Sequence, residues 1–155
     1  MAKVAIGKKV PAFSAPATSG RTVSTQDLAG RPFVLYFYPR DDTPGCTMEG
    51  EAFRDHYAEF KRRGVEIFGV SRDTLASHEK FKTKLGFPFD LIADPEEKLC
   101  AVFAVMKDKN MYGKKVRGIE RSTFLIDAGG VLRNEWRKVK VDGHAQEVLA
   151  AAAAL

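Results

Sequence analysis

Residues 33–46 have the sequence FVLYFYPRDDTPGC, which joins a long apolar run to a polar loop and a cysteine. Phe33 to Tyr38 is continuously apolar and aromatic and lies between two prolines, which predicts a fully buried central strand. Apolar residues then recur at helical spacing from Cys46 to Arg63, and Gly64 ends that stretch. The cysteine is therefore expected just after a buried strand and at the start of a helix.

The rest of the chain alternates predicted strands with predicted helices. The first thirty residues are rich in Pro, Ser, Thr and Gly, which indicates extended arms and turns. A basic segment, Lys107 to Gly118, has no clear periodicity and is expected to be irregular. The predicted elements are a strand at 65–70, a helix at 75–85, a strand at 89–92, a helix opened by Asp94 with Pro95 at its first position and acidic residues in its first turn, a hairpin of strands 122–126 and 131–139, and a closing helix at 143–155. This order predicts a three-layer α/β domain with a mostly parallel sheet.

Length and composition favour one globular domain over residues 1–155. The net charge of +5 is modest, and nucleic-acid binding would need it clustered on one face. The basic segment Lys107 to Arg117 could touch nucleic acid or dock an acidic electron donor, but a solvated surface loop is the favoured interpretation. No targeting or membrane-spanning segment is visible, so we expect a cytoplasmic protein without a membrane or nucleic-acid partner. The two cysteines exclude a disulfide-rich scaffold.

A cysteine at a helix N-terminus needs further help to react as a thiolate at neutral pH. A free cysteine is only about 3% thiolate there, and a helix end contributes about 0.3–1 kcal/mol toward the charged form. A hydrogen bond from a cation adds about 1.5–3 kcal/mol. Arg121 is the favoured donor because a charge at the start of the strand 122–126 needs a reason, whereas a loop arginine such as Arg40 is more often solvated.

Three residues carry a resemblance to a known family. Pro39, Thr43 and Cys46 match the peroxiredoxin signature P-x-x-x-T-x-x-C, and the surrounding YPRDDTPGCTMEGEAFRD is similar to the bacterioferritin-comigratory, or Q-type, branch. Similar segments recur through Arg121 to Asp127, so the resemblance covers nearly the whole chain. It implies a thioredoxin-like three-layer α/β domain with a central mixed sheet and an N-terminal β extension. It also implies a thiol peroxidase that reduces hydrogen peroxide and organic hydroperoxides without a cofactor or metal.

The resemblance gives five residues their expected roles. Cys46 would be the peroxidatic thiolate, which becomes a sulfenic acid. The Thr43 hydroxyl would hydrogen-bond the peroxide, and Pro39 would shield the thiolate from water. Arg121 would hold the thiolate and the peroxide oxygens. Glu49, three residues after Cys46, would lie on the same helix face and orient an arginine.

Other functions remain open at this point. A thioredoxin-like disulfide oxidoreductase would normally carry C-x-x-C, but Cys46 is followed by Thr-Met-Glu. A cysteine hydrolase would need a base such as His144, which nothing marks as oriented. The histidines are interpreted as surface or packing residues, because their spacing does not suit zinc. A non-enzymatic redox sensor or partner-binding module that uses the same thiol is the main alternative.

The route by which Cys46 is recycled differs from that of many relatives. Many Q-type members carry a resolving cysteine five residues after the peroxidatic one, where this chain has Glu51, or on the following helix, where Ser77 to Gly86 has none. Only Cys100 is left, and its apolar neighbours predict a core position. We therefore expect a one-cysteine cycle in which thioredoxin, glutaredoxin or a small thiol reduces Cys46, with Cys100 as the less favoured resolving residue. The resemblance also favours a monomer.

Overall fold

The structure is a computed structural model that describes residues 3–155, so Met1 and Ala2 lie outside the described part of the predicted 1–155 domain. The strands are β1 Ser14–Pro16, β2 Thr22–Ser24, β3 Phe33–Phe37, β4 Glu66–Ser71, β5 Asp90–Ala93, β6 Met106–Met111, β7 Lys114–Ile119, β8 Ser122–Ile126 and β9 Leu132–Arg137. The helices are α1 Pro44–Arg62, α2 Leu75–Leu85, α3 Lys98–Phe103 and α4 His144–Ala153. The predicted core elements are present, with ends displaced by up to two residues except at α3.

The central sheet has five strands in the order β5-β4-β3-β8-β9. The strands β3, β4 and β5 are parallel, as the β-α-β order of the sequence requires. The strand β8 runs antiparallel to both β3 and β9, so the sheet is mixed rather than mostly parallel. The antiparallel pairing sets Ser122, the first residue of β8, opposite Phe37, the last residue of β3. The pairing therefore brings Arg121, which directly precedes β8, to the same end of the sheet as the loop that leads from β3 to Cys46.

Alternating side chains of the central strands enter two separate cores. Phe33, Leu35 and Phe37 pack in one cluster with α3 and the β1–β2 hairpin. Val34, Tyr36 and Tyr38 pack in the other with α1, α2 and α4. Because both faces of β3 are covered, every residue of this strand is buried, which explains its continuous apolar sequence. The layers are those predicted, and the β1–β2 hairpin is the expected N-terminal β extension.

The basic segment 107–118 is a hairpin, and the prediction of an irregular loop was wrong. Its strands β6 and β7 pair antiparallel from Met106–Ile119 to Met111–Lys114. Tyr112 and Gly113 both have positive φ, of 54° and 77°, which is the backbone geometry of a tight two-residue turn. Most of the hairpin is exposed, so the sequence lacks the alternation of apolar residues that would reveal its strands.

The helix α3 begins three residues later than predicted, at Lys98 rather than at Pro95. The Asp94 carboxylate accepts hydrogen bonds from the backbone N–H groups of Leu99 at 3.1 Å and Cys100 at 2.8 Å. Glu97 has a positive φ of 61° and separates the Asp94 turn from the helix. The carboxylate therefore satisfies free donors of the first turn, and the acidic residues precede the helix instead of lying within it.

Within residues 3–155, no helix combines the length and the apolar character that crossing a bilayer requires.

A glycine in α1 allows this helix to pack closely against the aromatic cluster below it. Gly50 lies one turn after Cys46 and is buried. A Cβ at this position would overlap the Phe87 ring, which stacks on Phe89 at 4.9 Å and meets Phe81 edge-on at 5.2 Å. Because these neighbours hold the Phe87 ring in place, the first turns of α1 can pack here only if residue 50 has no side chain.

We predict that Gly50→Ala destabilises the protein. Overpacking against Phe87 costs about 1–3 kcal/mol. Alanine gains about 1 kcal/mol over glycine in helix propensity, so over most of that range of costs the net effect is destabilising. Thermal unfolding should show a melting temperature lower by about 2–4 °C per kcal/mol. The matched control is Gly118→Ala, where an added Cβ has nothing within 4 Å. Equal melting temperatures for the two variants would contradict the packing argument.

Candidate active site

Cys46 is the third residue of α1 and is only 2% exposed. Thr43 is the N-cap with extended backbone (φ −106°, ψ 154°), and Pro44 opens the helix. The first hydrogen bond of the helix runs from the Thr47 N–H to the Thr43 carbonyl at 2.8 Å. The N–H groups of Gly45 and Cys46 precede it, at the positive end of the helix dipole. Negative charge on the sulfur is favoured at this position.

Arg121, which directly precedes β8, contacts Cys46 through its side chain. Its backbone carbonyl accepts from the Val139 N–H at 3.0 Å, which fixes the chain just before β8. Its Nη2 donates to the Sγ of Cys46 at 3.4 Å, and its side chain is 16% exposed. This is the cationic donor that the sequence predicts. Arg40 is nearer to Cys46 in sequence, but it is an exposed residue.

Glu49 shares the same guanidinium group. The Nη1 of Arg121 donates to the Oε1 of Glu49 at 2.6 Å, and the Glu49 side chain is 2% exposed. Burial raises the pKa of Glu49 to about 7, although the Arg121 charge and hydrogen bond act in the opposite direction. Burial works against the charge of Arg121, but Glu49 and Cys46 raise its pKa overall. Within residues 3–155, Oε2 of Glu49 is buried and has no hydrogen-bond partner.

The two remaining predicted site residues lie on the loop before α1. The Thr43 hydroxyl donates to the Arg40 carbonyl at 2.9 Å, which closes the loop on itself. The hydroxyl does not bond the first turn of the helix, so Thr43 caps α1 without its side chain. Pro39 directly follows the buried Tyr38 and is half-buried. Both residues therefore flank the short segment that leads to Cys46.

His144 lies in the core and forms a hydrogen bond that the sequence did not reveal. Its Nε2 lies 2.8 Å from the Oγ1 of the buried Thr123. Burial, followed by the charge of Arg121, lowers the pKa of His144 to about 4, so the ring is neutral at neutral pH. One ring nitrogen is therefore engaged with Thr123 rather than with Cys46. His78 is also fully buried, so these two histidines lie in the core rather than on the surface.

Cys100 lies on the other side of the central sheet from Cys46. Both residues are buried, free thiols in the described part of the chain. Cys46 packs in the core under α1, α2 and α4, and Cys100 packs in the core under α3. Burial and a hydrogen bond with Asp94 raise the pKa of Cys100 well above the usual range. The expected core position of Cys100 is confirmed.

Comparison with known proteins decides the family. Residues 6–135 match the family model described as AhpC/TSA family. The chain belongs to the AhpC/TSA family. Peroxiredoxin Bcp of Xanthomonas campestris is 54% identical over 134 residues, covering 86% of this chain and 84% of the relative. Peroxiredoxin Bcp of Bacillus subtilis is 49% identical over 146 residues, covering 94% of this chain and 93% of the relative.

Solved peroxiredoxin structures share the fold. A cysteine mutant of peroxiredoxin Q from Xylella fastidiosa superposes with a TM-score of 0.92 at 39% identity, covering 97% of this chain and 96% of that one. A cysteine mutant of Xanthomonas campestris peroxiredoxin Q gives a TM-score of 0.88 at 50% identity, with coverages of 92% and 90%. The thioredoxin-like fold and the Q-type branch are therefore confirmed. The chain is a peroxiredoxin and thus a thiol-dependent peroxidase, as its sequence indicated.

The buried Glu49 carboxyl predicts a pH dependence of stability. The pKa of Glu49 is raised in the folded protein, so between about pH 4.5 and 7 the folded state holds a proton that the unfolded state has lost. This contribution to the free energy of unfolding is fully present below pH 4.5 and is lost as the pH rises through 7. His144 acts in the opposite direction between about pH 4 and 6.5, because its pKa is lowered.

We therefore predict a pH-dependent difference between Cys46→Ser and the double variant Cys46→Ser/Glu49→Gln. The shared Cys46→Ser background removes the titration of the thiol, and the contribution of His144 cancels in the difference. Urea unfolding at each pH gives the free energy of unfolding of Cys46→Ser minus that of the double variant. This difference should fall by about 1–3 kcal/mol from pH 5 to 8. A constant difference over this range would contradict the raised pKa.

Proposed function

We propose that Cys46 is the peroxidatic residue of this peroxidase and that it reduces hydrogen peroxide and organic hydroperoxides. The observation that carries the proposal is the contact between Arg121 Nη2 and the Cys46 Sγ at the N-terminus of α1. The thiolate attacks the terminal oxygen of the peroxide, an S–O bond forms and the O–O bond breaks. The products are a Cys46 sulfenic acid and, after protonation of the leaving oxygen, water or an alcohol.

The residues around Cys46 suit the separate demands of this reaction. Arg121 stabilises the thiolate in the ground state and the charge that moves to the leaving oxygen in the transition state. The hydrogen of the Thr43 hydroxyl is donated to Arg40, so the Thr43 oxygen is left to accept a hydrogen bond from the peroxide O–H group. Pro39 excludes water from one side of the thiolate.

Glu49 acts through Arg121 rather than on the peroxide. Its 2.6 Å ion pair fixes one nitrogen of the guanidinium, and the planar group then directs its other nitrogen toward Cys46. A buried carboxylate with one cationic partner is costly to break, so the orientation is well defined. We assign Glu49 as a positioning residue.

Separate observations support the alkyl peroxide substrate class and the one-cysteine cycle. The Xanthomonas campestris bacterioferritin comigratory protein has been studied for alkyl peroxide reduction activity, which supports organic hydroperoxides as substrates here. A disulfide needs Cα atoms within about 7 Å, whereas Cys46 and Cys100 occupy cores on opposite faces of the sheet. The sulfenic acid is therefore reduced by an external thiol, which can be thioredoxin, glutaredoxin or a small thiol.

The setting that we propose for this reaction is a monomeric single domain of residues 1–155 in the cytoplasm. The helices and the β1–β2 hairpin cover both faces of the central sheet, which favours a chain that folds without a partner. Two free cysteines favour a reducing compartment, where thiol donors are abundant.

We predict that Cys46→Ser abolishes peroxide reduction and that Cys100→Ser, the matched control, keeps most of its multiple turnover. The reason is that the serine hydroxyl is a far weaker nucleophile at neutral pH, while Cys100 takes no part in the cycle. The measurement is hydrogen peroxide consumption with thioredoxin, glutaredoxin and glutathione compared side by side.

Three results would contradict parts of this proposal. Full activity of Cys46→Ser would remove the assignment of the peroxidatic residue. Consumption by the wild-type protein that stops after one equivalent of peroxide would indicate a sensor rather than an enzyme. Loss of turnover in Cys100→Ser, with a Cys46–Cys100 disulfide seen by mass spectrometry, would assign Cys100 as the resolving residue.

A further inference from the structure

A buried polar cluster ties the loop before Cys46 to the helix α2. The Asp41 carboxylate accepts from the Tyr38 hydroxyl at 2.6 Å and from the Ser77 hydroxyl at 2.7 Å, and it lies 2.7 Å from the Nδ1 of His78. The side chains of Asp41 and His78 are 4% and 0% exposed. The backbone N–H of Asp41 donates to Asp73 at 3.0 Å. None of these contacts has a part in the peroxide chemistry described above.

The partners of the His78 ring define its protons. Its Nε2 lies 2.9 Å from the Ile92 carbonyl, which can only accept, so this nitrogen carries a proton. Its Nδ1 faces the Asp41 carboxylate, so a second proton lies between these two groups. Asp41 already accepts from two hydroxyls, as a carboxylate does. The Asp41–His78 contact is therefore a short hydrogen bond that ties the loop to the helix α2.

The loop is short enough to transmit a movement of Asp41 to Cys46. Only four residues separate the two, and Asp42 among them has a positive φ of 58°. Thr43 is bonded through its hydroxyl to the Arg40 carbonyl and through its own carbonyl to the Thr47 N–H. Release of Asp41 would therefore shift Thr43 and the first turn of α1 together.

We propose that the Asp41–His78 contact is a latch that holds the loop against α2 and so positions Thr43 and Cys46 for reaction with peroxide. The latch rests on the proposed role of Cys46, and its two members are positioning residues that need not touch the substrate. While this contact is intact, the loop is held against α2. Removal of either partner lets the loop loosen.

The other groups around Asp41 and His78 are engaged with partners of their own. Burial, followed by the charges of Tyr36 and Asp41, raises the pKa of Tyr38 well above the usual range, so its hydroxyl remains a donor. Asp73 is engaged by the Asp41 N–H and by the Ser71 hydroxyl. Asp41, Asp73 and His78 offer ligand atoms within 4.8 Å of one another, a spacing that could suit a metal, but these protein donors already occupy them. Lys84 pairs with Asp42 at the exposed rim, away from the latch.

The test compares two neighbouring aspartates. Asp41→Asn removes the buried carboxylate, and the matched control Asp42→Asn removes only the exposed pair with Lys84 and keeps a residue that tolerates positive φ. For each protein we would measure the second-order rate constants of Cys46 with hydrogen peroxide and with iodoacetamide. Alkylation needs an accessible thiolate but not the alignment of Thr43 and Arg121 with a peroxide.

We expect Asp41→Asn to react at least about tenfold more slowly with hydrogen peroxide while its alkylation rate is unchanged or higher. His78→Gln should behave in the same way, with His56→Gln as its control. Asp42→Asn should match the wild type in both reactions. If the wild type reacts rapidly with peroxide and Asp41→Asn does so equally rapidly, the proposed function stands and the latch is overturned. Parallel slowing of both reactions in Asp41→Asn would also overturn it, because that result indicates a general structural effect.

Discussion

A single guanidinium group, that of Arg121, links the sulfur of Cys46 to the carboxyl group of Glu49. The helix end contributes only about 0.3–1 kcal/mol to a thiolate, whereas a charge-assisted hydrogen bond contributes about 1.5–3 kcal/mol, so the cation is the larger effect. The strand pairing of the central sheet brings the residues of this contact together. The antiparallel pairing of β8 with β3 brings Arg121 to the same end of the sheet as the loop and helix that carry Cys46.

Sharing one cation between two acidic groups also couples their charges. Burial raises the pKa of Glu49 to about 7, while the charge and the hydrogen bond of Arg121 act against this rise. The ion pair holds one nitrogen of the guanidinium, so loss of the Glu49 charge would loosen the group that contacts Cys46. The positioning role proposed for Glu49 therefore depends on its charge as well as on its shape.

Local sequence patterns predicted the elements that carry their own signals. The buried strand Phe33 to Tyr38, the helix after it and Arg121 at the start of a strand were predictable because burial, capping and an unexplained charge are local features. The β6–β7 hairpin was missed because its exposed strands have no apolar alternation. The predicted start of α3 was three residues too early, because the Asp94 carboxylate, and not Pro95, organises the first turn. Asp41 and His78 are 37 residues apart, and only the folded chain brings them together.

The central claim is that Glu49 acts on Cys46 only through Arg121. The most direct test is a double-mutant cycle on the second-order rate constant of Cys46 with hydrogen peroxide, using Glu49→Gln, Arg121→Ala and the double variant. Arg121→Ala should slow the reaction by about a hundredfold or more, and should lower the thiolate fraction seen in the pH dependence of alkylation. Glu49→Gln should slow the wild-type protein but have no further effect once Arg121 is absent. Independent effects that multiply in the double variant, or an unchanged alkylation profile in Arg121→Ala, would contradict the account.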